Sequence, residues 1–264
     1  MDWLLTDIDD RGVATLCLNR PDKYNAFDDN LINQLIQALS ELADDDKVRL
    51  LVLKANGKHF SAGADLKWMQ RQISHSFDQN LAESEALAEL MARLHSFPHP
   101  TLCAVQGSAF GGALGLIACC DIAVASDDAR FCLSEVKLGL IPAVISPYIV
   151  RAMGVRQATR YMLTAERFDA GVARKLGLIH EKVPANELDT AIGDFVQILL
   201  ANGPEALKAC KMLIEHVDSH LLDDELRHFT ANEISRIRIS PEGQEGLKAF
   251  FDKRSPGWQE KKDV

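Results

Sequence analysis

Apolar and polar positions alternate in two rhythms along this chain. A short β-type run near Trp3 to Ile8, a polar turn at Asp9-Asp10-Arg11-Gly12 and a second run from Val13 to Leu18 predict a hairpin. Apolar residues then recur at Leu31, Ile32, Leu35, Ile36, Leu39 and Leu42, the spacing of an amphipathic helix with Asp28 or Asp29 available to cap it. Leu50 to Leu53 is a continuous apolar run of strand length, as expected where both faces of a sheet are covered.

The alternation repeats downstream. A loop from Lys54 to Lys58, a helix around Leu81 to Leu94, a strand at Thr101 to Val105, a Gly-rich turn, an apolar helix ending at Cys119 and a strand at Ile122 to Ala125 follow in order. Strands alternating with helices imply an α/β fold. From Val150 onward the strand signal fades. Arg156 to Thr164, Ala170 to Leu176, Glu187 to Ala201, Pro204 to Leu221 and Glu225 to Ile237 read as successive amphipathic helices. No fixed-period repeat or long Ser/Gly linker interrupts the chain, so one α/β body with a helical extension is the simpler organisation.

Composition narrows the function classes. The 264 residues are 47% hydrophobic and 25% charged, with a net charge of −9. A chain of this length buries roughly three quarters of its unfolded surface, so it needs neither disulfides nor a metal to hold a core. The acidic balance and the lack of a Lys/Arg cluster argue against a nucleic-acid partner. No apolar run approaches the roughly eighteen residues of a membrane span, and Met1 to Asp7 lacks the pattern of a secretory leader. The expected location is cytoplasmic, with no membrane association. Cys17, Cys103, Cys119, Cys120, Cys132 and Cys210 show no C-x-x-C spacing and read as reduced, buried small hydrophobes. The eight histidines, including His95 and His99, form no metal constellation, and no metal is expected.

Two loops are candidates for chemistry because each places small residues where a strand hands over to a helix. One is His59-Phe60-Ser61-Ala62-Gly63-Ala64-Asp65-Leu66-Lys67; the other is Gly107-Ser108-Ala109-Phe110-Gly111-Gly112-Ala113-Leu114-Gly115. Taken singly, the glycines of either loop need do no more than allow a turn. If the loops converge, their backbone N–H groups supply two donors to one carbonyl oxygen, which is an oxyanion hole. Neither carries a Gly-Lys-Ser/Thr phosphate loop or G-x-G-x-x-G spacing, which disfavours nucleotide hydrolysis and dinucleotide chemistry. Ser61 lacks a G-x-S-x-G elbow, and His59 reads as a solvated loop residue.

Several segments match a known family in order and spacing: Asn19-Arg20-Pro21 with Asn25-Ala26, Phe60 to Leu66, Val105-Gln106-Gly107 through Gly111-Gly112, and Cys120-Asp121-Ile122. Phe131 to Pro142, Leu176-Gly177-Leu178 and Glu245 to Phe250 continue the match. On these residues the chain resembles the enoyl-CoA hydratase/isomerase (crotonase) superfamily over essentially its whole length. The resemblance implies a spiral of repeated ββα units as an α/β core over 1–195, and a C-terminal helical region over 196–264 that trimerises and completes the CoA site. It implies a homotrimer, or a hexamer built as a dimer of trimers.

The resemblance also implies site roles. The N–H groups of Ala64 and Gly112 would hold the thioester oxygen of an acyl-CoA. Ala62, Ala64, Asp65, Leu66 and Lys67 would lie along the CoA, with Gly111 beside the thioester, Ala26 near the adenine end and Phe250 reaching a neighbour's site. CoA would be part of the substrate, and no separate cofactor is implied. Asp65 on residue type alone reads as a turn or cap; Glu83 and Glu85, on the helix leading to Leu94, could overhang the pocket but read better as a solvated helix face.

Glu135 is the candidate for proton transfer. It lies in the apolar stretch Phe131 to Val136, where burial would raise its pKa, although on residue type alone an exposed strand-end glutamate is as good a reading. It corresponds to one of two glutamates in typical hydratases; the position of the other is Gly115. That departure weighs toward a Δ3-Δ2 isomerase using one carboxylate. A finer resemblance weighs the other way. Gly111-Gly112-Ala113-Leu114-Gly115-Leu116 together with Leu133 to Tyr148 is similar to bacterial methylglutaconyl-CoA hydratases of leucine and isovalerate breakdown, in which a glycine at that place is usual. Ala143-Val144-Ile145, where many members carry a Gly-rich stretch, would reshape the acyl pocket. The expected function is hydration of the 2,3 double bond of an enoyl-CoA, with 3-methylglutaconyl-CoA the favoured substrate and isomerisation the alternative. A non-catalytic or RNA-associated scaffold is a third possibility that the charge disfavours.

Overall fold

A computed structural model describes residues 2–259. The hairpin forms from β1 (Leu4–Ile8) and β2 (Val13–Leu18), paired antiparallel. Its turn is closed by the Gly12 N–H donating to the Asp9 carbonyl at 2.9 Å and by the Asp9 carboxylate accepting from the Arg11 and Val13 N–H groups. Helix α1 (Asp29–Ala43) begins at Asp28, whose side chain accepts from the Leu31 N–H. It leads into β3 (Leu50–Ala55), α2 (Leu66–Gln72), α3 (Phe77–His95) and β4 (Thr101–Val105). Next come β5 (Ser108–Phe110), α4 (Ala113–Cys119), β6 (Ile122–Ser126) and β7 (Arg130–Cys132).

Among the described residues the main sheet has the order β1-β2-β3-β4-β6, completed by β9 (Glu181–Val183), and is parallel from β2 onward. Both of its faces are apolar because both are covered. On one side Ala14, Leu16, Leu18, Leu51, Leu53, Cys103 and Val105 pack into the main core with α1, α3 and α4. On the other, Val13, Leu50, Val52, Leu102, Ala104 and Val124 meet Leu188, Ile192 and Val196 of α8 (Leu188–Leu200).

A second, smaller sheet has the order β5-β7-β8, with β8 at Phe168–Asp169. It corrects two sequence expectations. The stretch expected to be only a Gly-rich turn contains β5, and the strand signal does not end at Val150, because β8 and β9 lie beyond it. These strands span two or three residues, too few for an alternation to show. Between β7 and β9 lie α5 (Ser146–Met153), α6 (Val155–Thr164) and α7 (Ala170–Leu176).

The chain ends in α9 (Pro204–Ser219), α10 (Asp224–Ile239) and α11 (Pro241–Asp252). Their buried side chains are few: none on α9, Leu226 on α10 and Ala249 on α11. Polar ties hold them to the body. Lys211 Nζ and Glu215 of α9 lie 2.8 Å from Asp121 and 2.7 Å from Arg151, and Glu242 of α11 accepts from the Glu205 and Ala206 N–H groups of α9. The boundary expected at 195/196 falls inside α8, a helix seated on the sheet. Five cysteines are buried as expected, but Cys210 is exposed on α9, whose polar face the run of apolar neighbours does not reveal. Among the described residues no helix is long and apolar enough to cross a membrane.

Candidate active site

The loops after β3 and β4 leave the carboxyl ends of adjacent parallel strands, where an open α/β sheet forms its ligand crevice. They also bond to each other. The Ser61 N–H donates to the Ser108 carbonyl at 3.1 Å and the Phe110 N–H donates back to Ser61 at 3.1 Å, extending β5 by one more short ladder. On its other edge the first loop pairs with Phe27: the Phe27 N–H donates to Gly63 and the Asp65 N–H to Phe27, both at 2.9 Å. In this register the N–H of Ala64, flanked by those two bonds, points away from Phe27.

Two glycines make the approach possible. Gly63 has φ +85°, and a Cβ there would stand 2.6 Å from the Phe110 carbonyl oxygen. Gly111 has φ +54° and donates to the Cys132 carbonyl at 2.9 Å, which turns the chain into α4. The next residue, Gly112, is the N-cap of α4. Neither the Ala64 nor the Gly112 N–H donates to any group among the described residues. Both residues are half-buried, and two open donors on loops that bond to each other form a ready receptor for an oxygen anion.

Glu135 stands beside them. Because β7 runs parallel to β5 with Phe110 opposite Cys132, the residues after Cys132 pass next to Gly111. Glu135 Oε1 is 3.2 Å from where a Gly111 Cβ would be, and Glu135 Oε2 is buried with no hydrogen-bond partner. Burial pushes this carboxyl above the ordinary glutamate range, against its own backbone N–H, which lowers it. A half-buried acid of raised pKa beside these loops can take and return a proton.

The position of Gly115, one turn along α4, is closed. A Cβ there would lie 2.3 Å from Ile145 Cγ2, 2.9 Å from Ile145 Cβ and 3.0 Å from Met91 Sδ. Ile145 is 2% exposed and Met91 0%, so the space a second carboxylate would need is filled by packed hydrocarbon and sulfur.

The other expected positions are distributed around this centre. Ala26 is buried, its carbonyl accepting from Arg20 at 2.8 Å, and the half-buried Ala62 donates its N–H to Tyr24. Asp65 is a helix cap: its carboxylate accepts from the Lys67 and Trp68 N–H groups at the start of α2. Arg20 lies 3.3 Å away, and although burial works the other way, these partners hold the Asp65 carboxyl below its usual range. Leu66 and Lys67 are exposed on the first turn of α2, and Lys67 has no ion-pair partner among the described residues. Phe250 is 76% exposed on α11 and packs edge-on against Phe251, remote in its contacts from either loop.

Four residues have contacts that the sequence reading did not give them. His59 is half-buried rather than solvated, its Nδ1 accepting the Ser108 N–H at 3.0 Å, because the second loop folds back over it. Arg20 is a matched motif residue and Phe27 adjoins one, yet their spacing alone does not tell that they hold the first loop. Glu83 lines a cavity of about 200 Å³ with Asp29, Trp68 and Ala86 between α1, α2 and α3, and accepts from Gln72 at 2.8 Å.

Comparison with known proteins identifies the family and the fold. Residues 9–261 match the enoyl-CoA hydratase/isomerase family. A crystal structure of an enoyl-CoA hydratase from Shewanella pealeana is 52% identical, with a TM-score of 0.94, covering 97% of this chain and 96% of the other. A putative enoyl-CoA hydratase of Thermus thermophilus is 33% identical over 96% of this chain and 99% of its own length. A mitochondrial Δ(3,5)-Δ(2,4)-dienoyl-CoA isomerase of Dictyostelium discoideum is 28% identical over 94% and 88%. With its layered α/β body, two converging loops and a sequence match of this extent, the chain belongs to the enoyl-CoA hydratase/isomerase, or crotonase, superfamily.

Proposed function

We propose that this protein hydrates the 2,3 double bond of an enoyl-CoA, with 3-methylglutaconyl-CoA as its substrate and Glu135 as its proton-transfer residue. The observation that carries the reading is the buried, unpartnered Oε2 of Glu135 beside the open N–H groups of Ala64 and Gly112. The two N–H groups hold the thioester oxygen and draw charge from C3. Water attacks C3 while its proton passes to the Glu135 carboxylate; the charge that develops on the thioester oxygen is held by the two donors. Collapse of the enolate takes the proton from Glu135 onto C2, so one water is added and the carboxylate is restored. CoA arrives as part of the substrate, and no cofactor or metal takes part.

The CoA lies along Ala62, Asp65, Leu66 and Lys67 with Gly111 at the thioester and Ala26 at the adenine end. Lys67 and Lys23, exposed and without ion-pair partners among the described residues, are the cations available to its phosphates. The active form is a homotrimer or a dimer of trimers, supported by the apolar side chains exposed on the last helices, Met212, Ile214, Ile239, Phe250 and Phe251, and by Leu221 and Leu222 between α9 and α10. In that assembly Phe250 reaches a neighbour's CoA. A solution mass equal to one chain would refute the assembly.

The second reading is a Δ3-Δ2 isomerase, favoured by the closed space at Gly115, since one base suffices to carry a proton between C4 and C2. Incubating 3-methylglutaconyl-CoA, crotonyl-CoA and a 3-enoyl-CoA separately and weighing the products decides between them. Hydration adds one water to the mass; isomerisation leaves it unchanged. Turnover of crotonyl-CoA with none of 3-methylglutaconyl-CoA would overturn the substrate assignment.

A further inference from the structure

Phe27 touches both halves of the candidate site. Its N–H donates to the Gly63 carbonyl and its carbonyl accepts from the Asp65 N–H, so its backbone grips the two peptide groups that flank Ala64. Its ring lies against the other donor. A Cβ built on Gly112 would stand 2.8 Å from Phe27 Cζ and 3.2 Å from Cε2, so the ring edge rests on the Gly112 backbone. Phe27 is 2% exposed, which leaves the ring no room to swing away.

The loop that carries Phe27 is itself fixed from below. Tyr24 and Asn25 adopt left-handed conformations, φ +52° and +53°, which are held by bonds on every side. Asn25 Oδ1 accepts from the Arg20 N–H at 2.8 Å, and Asn25 Nδ2 donates to the Asn56 and His59 carbonyls at 2.8 Å each. The buried Arg20 guanidinium donates to the Ala26 carbonyl at 2.8 Å, lies within 3.5 Å of Asp28 and 3.3 Å of Asp65, and stacks 3.8 Å from the Trp3 ring centroid.

We propose that Phe27 is a positioning residue that sets the separation of the Ala64 and Gly112 N–H donors, its loop being locked by Asn25 and Arg20. The inference rests on the reading of those two donors as the thioester-binding site. An oxyanion receptor works only when both donors meet the same oxygen, and a misplacement of about 1 Å costs on the order of 100-fold in rate. A residue with its backbone on one donor segment and its ring on the other is where such a separation is fixed. Phe27 itself acts through these two loops and not on the substrate.

A cinnamoyl-CoA thioester provides the readout, because its absorption moves to longer wavelength as its carbonyl is polarised. The unsubstituted protein is expected to shift the bound spectrum. Phe27→Leu and Phe27→Met, each checked for native circular dichroism and mass, are expected to bind the thioester with a smaller shift and to lose about 100-fold in kcat, with KM changed far less. Leu39→Ala, a core truncation on α1 of comparable or larger effect on stability, is expected to keep both the full shift and kcat. Folded Phe27 variants that retain the full shift and a kcat within about threefold of the parent would overturn the proposal. So would a loss of shift in Leu39→Ala equal to theirs, since it would reduce the effect to general destabilisation. A parent protein that binds the thioester without any shift would overturn the oxyanion-hole reading itself, and this proposal with it.

Discussion

Adding a single methyl group at Gly115 tests how firmly the wall of the site is built. In Gly115→Ala the new carbon would stand 2.3 Å from Ile145 Cγ2 and 3.0 Å from Met91 Sδ. Carbon atoms pack at roughly 3.5–4.0 Å, so one side must retreat by more than an ångström. Both neighbours are buried, and Ile145 begins the turn into α5, so neither can move into solvent. Overpacking of this kind costs about 1–3 kcal/mol, against which the better helix propensity of alanine returns at most about 1 kcal/mol. An approach of 2.3 Å to a buried carbon belongs at the upper end of that range, so the expected net loss is about 1–2 kcal/mol. Ile145→Ala alone opens a cavity and is expected to cost about 2–4 kcal/mol. Combined, the two changes should cost at least 1 kcal/mol less than their sum, because the methyl at 115 enters the space the isoleucine leaves. Urea unfolding of the four proteins measures the cycle. A Gly115→Ala protein as stable as the parent, or additivity within about 0.5 kcal/mol, would refute the packing argument.

Other perturbations follow from the same contacts. Glu135→Gln should lower turnover by about 100-fold or more. It should also be more stable than the parent at neutral pH: the raised pKa means the folded chain binds this proton more tightly, so the parent loses stability as pH rises through the ordinary glutamate range, and denaturation at pH 4 and pH 7 compares the two. If ionised Glu135 receives the water's proton, the acid limb of kcat/KM should lie above the ordinary glutamate range and vanish in Glu135→Gln, as a pH–rate profile would show. Asp65→Ala removes the cap of α2 and a partner of buried Arg20, and should cost about 2–4 kcal/mol by urea unfolding, whereas Asp65→Asn keeps the cap and costs less. His99, 4% exposed with an unpartnered Nδ1, is pushed by burial and by Lys208 and Lys211, against Glu205, down to about 4. The neutral ring therefore supports the fold above pH 6.5, that support drains away as pH falls toward 4, and His99→Phe should flatten acid unfolding over that window.

The main sheet and its helices are legible in the sequence because their signals are long. The run Leu31 to Leu42 carries a full amphipathic stripe, and the parallel strands read as unbroken apolar runs because α8 covers the second face. The second sheet is not legible, since β5, β7 and β8 are held by register with one another rather than by a pattern of their own. That sheet is what carries Glu135 to Gly111, so its raised pKa could be anticipated from apolar neighbours but its position could not. Gly115 illustrates the converse. As a letter it reads as a missing carboxylate; in the fold it is a contact with Ile145, thirty positions away.

Several features that violate local rules gather around the candidate site. The left-handed Tyr24 and Asn25, the positive φ angles of Gly63 and Gly111, the two N–H groups without acceptors and the unpartnered Glu135 oxygen all lie on the ladder joining Phe27, Ala64, Ala109 and Cys132. Strain and unmet hydrogen bonds persist where the surrounding structure over-determines them, and a site that must receive an oxygen anion has to leave donors unmet until the ligand arrives. The other orphaned side-chain atoms, Trp68 Nε1, His75 Nδ1 and His99 Nδ1, belong to no such ladder, and His75 Nδ1 faces the Glu83 carboxylate at 3.5 Å. What separates the candidate site from these is convergence. Two donors and one acid, delivered by three different strand ends, meet because Phe27 and the small sheet hold their loops to one another.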